Sequence, residues 1–246
     1  MFPKNVEKVL SKINANDLVL DVGGWACPFN RANWVIDAGS YETRGYYEKI
    51  GMPKCQGGEK EYFNNDTWVQ RDFCDREPWP FEDNFFDFSI CSHTLEDIRD
   101  PLYVCSELIR VSKRGYIEVP SRLIESCRGL ESDSIVGLSH HRWLVDISDN
   151  HVQFTMKYHI IHSDFQLSFP PSFAKKIPLE QSVSFLFWEN QFSFSETRID
   201  GSENIYQHLR QFINIRYKYP QYLFIIQNIQ KEASRIFNGI KRRLVI

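Results

Sequence analysis

The stretch Asp17-Leu-Val-Leu-Asp-Val-Gly-Gly-Trp25, followed closely by Trp34-Val-Ile-Asp37, constrains this chain more than any other. Leu18 to Val22 is apolar and β-branched, and reads as a buried strand. Gly23-Gly24 ends it abruptly, and Val35-Ile36 begins a second strand that stops at Asp37. A strand, a glycine turn and a second strand ending in a carboxylate describe a nucleotide cradle in a doubly wound α/β sheet. Glycine lets the backbone approach a ligand closely, and an acid at the tip of the next strand accepts hydrogen bonds from ribose hydroxyls. Plain turn chemistry after a buried strand has the same local signature. The G-x-G-x-x-G spacing of NAD enzymes is missing, because Trp25, Ala26, Cys27 and Pro28 stand where later glycines would fall. The crossover sits at the lower limit of about ten to twelve residues that a right-handed βαβ connection needs. Pro28 is therefore expected to open a clipped helix, completed by Asn30-Arg31-Ala32.

The rest of the chain extends this pattern. Val6, Val9, Leu10 and Ile13 recur at helical spacing ahead of the first strand. Residues 39–65 read as an irregular loop, and Trp68-Val69-Gln70 as a third strand leading to Asp72. Phe86 to Cys91 is a central strand by composition. Asp100-Pro101 opens a helix with Leu102, Cys105, Leu108 and Ile109 as its inward stripe, closed by Lys113-Arg114-Gly115. Tyr116 to Pro120 is a further strand. Strand, helix and strand with short loops predict a mostly parallel, doubly wound Rossmann-like sheet. The second half predicts two hairpins, Trp143 to Lys157 turning at Asp149-Asn150 and Phe185 to Phe194 turning at Glu189-Asn190. A final amphipathic helix carries Ile225, Ile226, Ile229, Ala233, Ile236, Phe237 and Ile240 on one face. The expected layout is one domain, with a cofactor-binding core over 1–121, substrate-side hairpins over 122–215 and the C-terminal helix over 216–246.

Composition narrows the function. At 246 residues the chain can bury one sizeable α/β core, and a net charge of -3 gives no global attraction to nucleic acid. The six cysteines are scattered, with no C-x-x-C and no close Cys/His cluster, so the spacing offers neither a zinc site nor a disulfide framework. No metal is expected. The N-terminus lacks a signal-peptide pattern and no apolar run reaches membrane-spanning length. The expectation is a soluble, cytoplasmic protein. Contact with the inner face of the membrane is left to the basic end of the last helix, Lys241-Arg242-Arg243.

The block Trp79-Pro-Phe-Glu-Asp-Asn-Phe-Phe-Asp-Phe-Ser-Ile-Cys-Ser-His-Thr-Leu-Glu96, with Arg110-Val-Ser-Lys-Arg-Gly-Tyr-Ile-Glu-Val-Pro120, resembles the class I S-adenosylmethionine-dependent methyltransferases. The likeness runs from about Leu18 to Ser121. It implies that Asp21, Gly23 and Gly24 lie near the methionine part of S-adenosylmethionine, that Asp37 and Ala38 meet the ribose, and that Asp72 and Phe73 meet the adenine. Ser92 and His93 would stand beside the reactive methyl. Two departures stand out: the glycine motif keeps two glycines, with Trp25 crowding the turn, and Asp97 replaces the family's usual His after Leu-Glu. The segments Val-Gly-Gly-Trp-x-x-Pro-Phe-x-Arg-Ala, His-x-Trp and Phe-Trp-Glu add a finer likeness to methyltransferase-domain proteins associated with bacterial surface-polysaccharide synthesis.

The resemblance implies methyl transfer, expected to reach a hydroxyl of a glycan, nucleotide-sugar or other small molecule. A non-catalytic binding protein of a glycan-synthesis complex is the alternative. His140, His141 and His93 are the candidate bases, since histidine titrates near neutral pH. His140 and His141 are adjacent, so in an extended segment only one faces the pocket, and His140 is preferred because His141 shares the face of Trp143.

Overall fold

The computed structural model describes residues 1–52 and 56–244, without the side chains of 227, 228, 231 and 236–244. The chain runs α1 (Pro3–Lys12), β1 (Val19–Val22), β2 (Trp34–Asp37), α2 (Tyr46–Lys49), β3 (Trp68–Gln70), β4 (Phe88–Ser92), α3 (Pro101–Val111), β5 (Arg114–Pro120), α4 (Arg122–Glu125), β6 (Trp143–Ser148), β7 (His151–Met156), α5 (Pro171–Ala174), β8 (Val183–Glu189), β9 (Ser193–Thr197), α6 (Ser202–Arg216) and α7 (Gln221–Leu244). Six strands form one sheet in the order β3-β2-β1-β4-β5-β8, and β6-β7-β9 form a second. The first five strands of the large sheet are parallel, and β8 joins β5 antiparallel, from Arg114↔Glu189 to Pro120↔Val183. The strand β8 comes from the 122–215 segment, so the core sheet draws on both halves of the chain.

All four residues of β1 are buried, as a central strand covered on both faces must be. On one face Leu20 and Val22 pack with Leu108 of α3 and with Val145 and Phe154 of the small sheet. On the other, Val19 packs with Val9 of α1, Phe29 and Phe63. Asp100 caps α3 by accepting from the Tyr103 N–H at 3.1 Å, with Pro101 at the first helical position.

Several sequence expectations change. No helix forms between β1 and β2; instead the crossover is an irregular loop in which the Arg31 guanidinium donates to the carbonyls of Asn14, Ala15 and Asp17. The buried stripe of α3 is Val104, Cys105, Leu108 and Val111, with Leu102 and Ile109 half-buried. That helix stops at Val111, and Gly115 lies inside β5 rather than at a cap. A Cβ there would stand 2.6 Å from the Ser89 carbonyl oxygen, so the glycine answers a close strand contact.

The first hairpin forms as expected, with Ser148↔His151 flanking Asp149-Asn150 and Asp149 at φ 50°. The second does not. The chain turns at Asn190 (φ 62°), but β8 enters the large sheet and β9 pairs parallel with β7 in the small one. On α7, Ile225, Ile226, Ile229 and Ala233 are exposed, not packed against the domain. The side chains of Ile236, Phe237, Ile240 and of Lys241-Arg242-Arg243 lie outside the described residues. No helix among the described residues is long and apolar enough to cross a membrane. None of the described cysteines is in a disulfide.

Candidate active site

The carboxyl ends of β1 and β4 open into a cavity of about 490 Å³ lined by Asp21, Gly23, Gly24, Ser92, His93, Glu96, Asp97, Glu125, His140 and His141, among others. Open α/β sheets bind ligands at such a place, where the strand order reverses beside the first strand. Both glycines are needed for the turn beneath it. Gly23 has φ +77°, and a Cβ on it would stand 2.3 Å from Thr94 Oγ1; on Gly24 it would stand 2.3 Å from Asp21 Oδ2.

Asp21 is buried and accepts the Phe29 N–H at 2.8 Å. Burial pushes its carboxyl up to about 7, against the Phe29 hydrogen bond and helped by the neighbouring Asp37. Asp37 is raised by burial as well, opposed by hydrogen bonds from Gly39 and Trp25. Its two oxygens accept the Gly39 N–H at 2.7 Å and the Trp25 N–H at 3.0 Å. The Ala38 N–H is a third donor to it, and of the roughly four acceptor positions of an ionised carboxylate one remains for a ribose. The Trp25 ring lies over Gly39, stacks on Tyr46 at 5.4 Å and donates Nε1–H to Thr43 Oγ1 at 2.9 Å. The indole thus closes the β2 end of the glycine turn.

Asp37, Ala38, Asp72 and Phe73 are not on the cavity wall described above. Ala38 is exposed and Phe73 is buried in the core. Asp72 is half-exposed and ion-paired with Arg99; burial raises its carboxyl, but the Arg99 guanidinium together with the Cys74 N–H and Arg71 outweighs that and holds it below the usual range. The structure therefore gathers Asp21, Gly23, Gly24, Ser92, His93, His140 and His141, and leaves the presumed adenine pair apart.

The histidines differ sharply. His93 sits at φ 54°, a left-handed backbone that non-glycine residues adopt rarely. Its Nε2 is 3.1 Å from Glu118 Oε1 and its Nδ1 is 3.5 Å from Glu96 Oε1. Burial alone would lower its pKa, but the Glu118 and Glu96 carboxylates outweigh that and raise it to about 9. The two carboxylates thus favour the protonated form of His93, which is less suited to take up a further proton. Glu118 is fully buried and also accepts from Asn5 Nδ2 at 2.8 Å, the Phe2 N–H at 2.6 Å and the Tyr116 hydroxyl.

His140 and His141 do not alternate across an extended segment. Ser139-His140 is a turn, the two rings lie 4.5 Å apart, and both line the cavity. Arg142 and Trp143 donate their N–H groups to the Glu96 carbonyl at 2.7 and 3.1 Å, which pins this segment to the exit of β4. His141 is buried, 2.9 Å from Glu125 through Nδ1 and 3.5 Å from Asp97 through Nε2. Burial lowers its pKa and the carboxylates raise it further, so the net shift is upward. Glu125 in turn meets Lys157 Nζ at 3.0 Å, and these cations hold its carboxyl low although burial opposes them. Asp97 goes the other way: burial and the adjacent Glu96 carry it up to about 6. His140 is exposed. Sequence spacing singled out neither Glu125 nor Lys157, and it marked Asp97 only as a departure from the family's usual His; only the fold brings them to the histidines.

Residues 54–117 match the model of the methyltransferase domain family. No curated protein matches the chain at a significant level. Among solved structures, an S-adenosylmethionine-dependent methyltransferase from Aquifex aeolicus is 20% identical over 48% of this chain and 65% of its own, with TM-score 0.32. One from Methanosarcina mazei is 15% identical over 60% and 87%, with TM-score 0.35, and one from Mesorhizobium loti is 12% identical over 63% and 62%, with TM-score 0.35. The chain spans about half the length of other structures that it matches, 52% for one from Bacillus halodurans. These superpositions are partial, and the assignment rests on the matched segment and the sheet order. The residues at the ends of β1 and β4 and the spare acceptor position on Asp37 fit the cofactor of that family. Residues 54–117 are thus similar to the S-adenosylmethionine-dependent methyltransferase domain, and they lie in a mostly parallel, Rossmann-like sheet of the order β3-β2-β1-β4-β5.

Proposed function

We propose that the chain transfers the methyl group of S-adenosylmethionine to a hydroxyl of a glycan, nucleotide-sugar or other small molecule bound in the cavity. The observation that carries this reading is one cavity lined both by the Gly23-Gly24 turn with Asp21 and by the Asp97, His140 and His141 group. The cofactor supplies an electrophilic methyl on a sulfonium. Gly23 and Gly24 keep side chains out of the turn, and Asp21 and Asp37 hold its backbone from Phe29, Trp25 and Gly39. Ser92 and the charged His93 form the floor at the end of β4. His140, exposed and on the same cavity wall, is the residue placed to take the proton from the acceptor hydroxyl. Alignment of acceptor and methyl supplies the larger share of the acceleration, up to roughly 7–11 kcal/mol in favourable cases.

The test is calorimetry of the purified protein with S-adenosylmethionine, S-adenosylhomocysteine and NAD. Heat with the first two and none with NAD is the expected result. No heat with either cofactor form at millimolar concentration refutes the enzyme and favours a non-catalytic binding protein. Once an acceptor is found, His140→Ala is expected to slow single-turnover methylation by about 10²–10⁴-fold without loosening the cofactor.

A further inference from the structure

We propose that Asp97, His140 and His141 form a site for a divalent metal ion on the cavity wall. One ligand atom from each of the three lies within 4.8 Å of those of the other two. Two imidazoles and a carboxylate are a donor set for first-row divalent ions, and three protein ligands with an open position are the form in which zinc holds a water or substrate oxygen. Bonds of about 2.0–2.1 Å in tetrahedral geometry put donors roughly 3.3–3.4 Å apart, so the site contracts by about an ångström on loading. His140 supplies that movement. Its side chain is 59% exposed, and Glu131 Oε1 stands 3.7 Å from its Nδ1, beyond a hydrogen bond.

Two further observations point to an ion. The first lies behind His141, whose Nδ1 faces Glu125 Oε1 at 2.9 Å while Lys157 Nζ holds the other Glu125 oxygen at 3.0 Å. That leaves Nε2 turned towards Asp97 Oδ1, 3.5 Å away. A carboxylate behind the far ring nitrogen orients a metal-binding histidine; here it does so as an ion pair, since neither His141 Nδ1 nor Glu125 Oε1 has a hydrogen-bond partner. The chain keeps this place clear, since a Cβ on Gly137 would stand 2.4 Å from Glu125 Oε2 and 2.7 Å from Lys157 Nζ. The second observation is Glu96. It has no exposed surface, it lines the same cavity, and neither carboxylate oxygen has a hydrogen-bond partner; Asp97 Oδ1 is in the same condition. The charged neighbour that Glu96 does have, His93 Nδ1, is 3.5 Å away. Buried carboxylates without donors call for positive charge, and a divalent ion beside Asp97 provides it. The ion's use in holding an acceptor oxygen rests on the methyl-transfer reading; its binding does not.

The experiment is a calorimetric titration of the metal-stripped full chain with zinc chloride, with metal content measured after dialysis. One ion per chain is expected. Affinity should fall at least about 10-fold in His140→Ala and in Asp97→Asn, and by about 10–100-fold in Glu125→Gln, which acts through His141. Cys27→Ser, which removes a thiol from the same cavity wall, should leave the affinity unchanged. No bound ion in folded wild type, or an unchanged affinity in both His140→Ala and Asp97→Asn, overturns the site. S-adenosylhomocysteine titrated into the same stripped protein reads the cofactor separately. Heat there without zinc binding overturns the metal site and leaves methyl transfer standing; zinc binding without that heat keeps the metal site and overturns methyl transfer.

Discussion

Replacing Glu118 by Gln isolates the buried charge that fixes His93. Burial opposes ionisation of Glu118, and the bonds from His93, Tyr116 and Asn5 more than offset it, taking its pKa from 4.5 to about 2. At roughly 1.36 kcal/mol per pH unit that is about 3 kcal/mol in favour of the charged form, undiminished by solvent because the side chain is buried. The same contact, with Glu96, raises His93 from 6.5 to about 9, so the two figures share one interaction and are not summed. The signs follow from linkage. The Glu118 share is present above pH 4.5 and is lost as pH falls towards about 2. The His93 share is present below pH 6.5 and is lost as pH rises through about 9. Glu118→Gln should therefore unfold in urea with a stability about 3 kcal/mol below wild type at pH 7, in the range expected for breaking a buried pair. Wild type should weaken between pH 6.5 and 9, and the variant should show a flatter alkaline limb. A loss under about 1 kcal/mol, or a flat wild-type profile over that window, refutes the charged His93 and restores it as a candidate base.

The two strand-end acids should now separate. Asp37→Ala is expected to weaken S-adenosylhomocysteine binding by about 1–3 kcal/mol, by freeing the Trp25 and Gly39 N–H groups as well as removing an acceptor. Asp72→Ala, which removes a half-exposed ion pair away from the cavity, should change calorimetric affinity and stability by less than about 1 kcal/mol; a larger loss of affinity there would restore its adenine role. Gly23→Ala should cost about 1–2 kcal/mol for the left-handed backbone, plus about 1–3 kcal/mol for the Thr94 overlap. A thermal midpoint within about 1 °C of wild type would show that the turn is built differently.

The parallel strands were legible because each carries its own evidence. Val19–Val22 is apolar throughout and stops at glycine, and Trp34–Asp37 stops at an acid. The partners of β8 and β9 were not legible. Leu186 and Trp188 alternate with Phe185 and Phe187 whether the neighbouring strand is β9 or β5, and an Asn190 turn fixes a change of direction, not a sheet. Gly115 misled for a related reason. Cations and a glycine after an apolar stripe look like a helix end, while the contact that requires the glycine comes from Ser89 on another strand. At the site, His140 and His141 stood out by their titration range. Their partners could not, since Asp97 and Lys157 lie on either side of them in the chain and meet them only because the Glu96 carbonyl ties two segments together. A periodicity rule sees neighbours on one element, and this site has none that matter.

The charges around the cavity bring the two proposals together. Glu118 is matched by His93, and Glu125 by His141 and Lys157. Asp21, Glu96 and Asp97 face the same space without a lysine or arginine of their own among the described residues. Two of these three are pushed upward, Asp21 to about 7 and Asp97 to about 6, because burial outweighs the cations near them, the N-terminus for Asp21 and His141 and His140 for Asp97. The fold therefore gathers several carboxyls with few cations around one cavity, and the two groups of residues suit different occupants. Beside Asp21 the glycine turn leaves room for a sulfonium with a single positive charge. Beside Asp97 and Glu96 the imidazoles offer lone pairs, which a sulfonium cannot use and a metal ion can. Attraction alone would draw either cation to either group; the donor atoms decide which goes where.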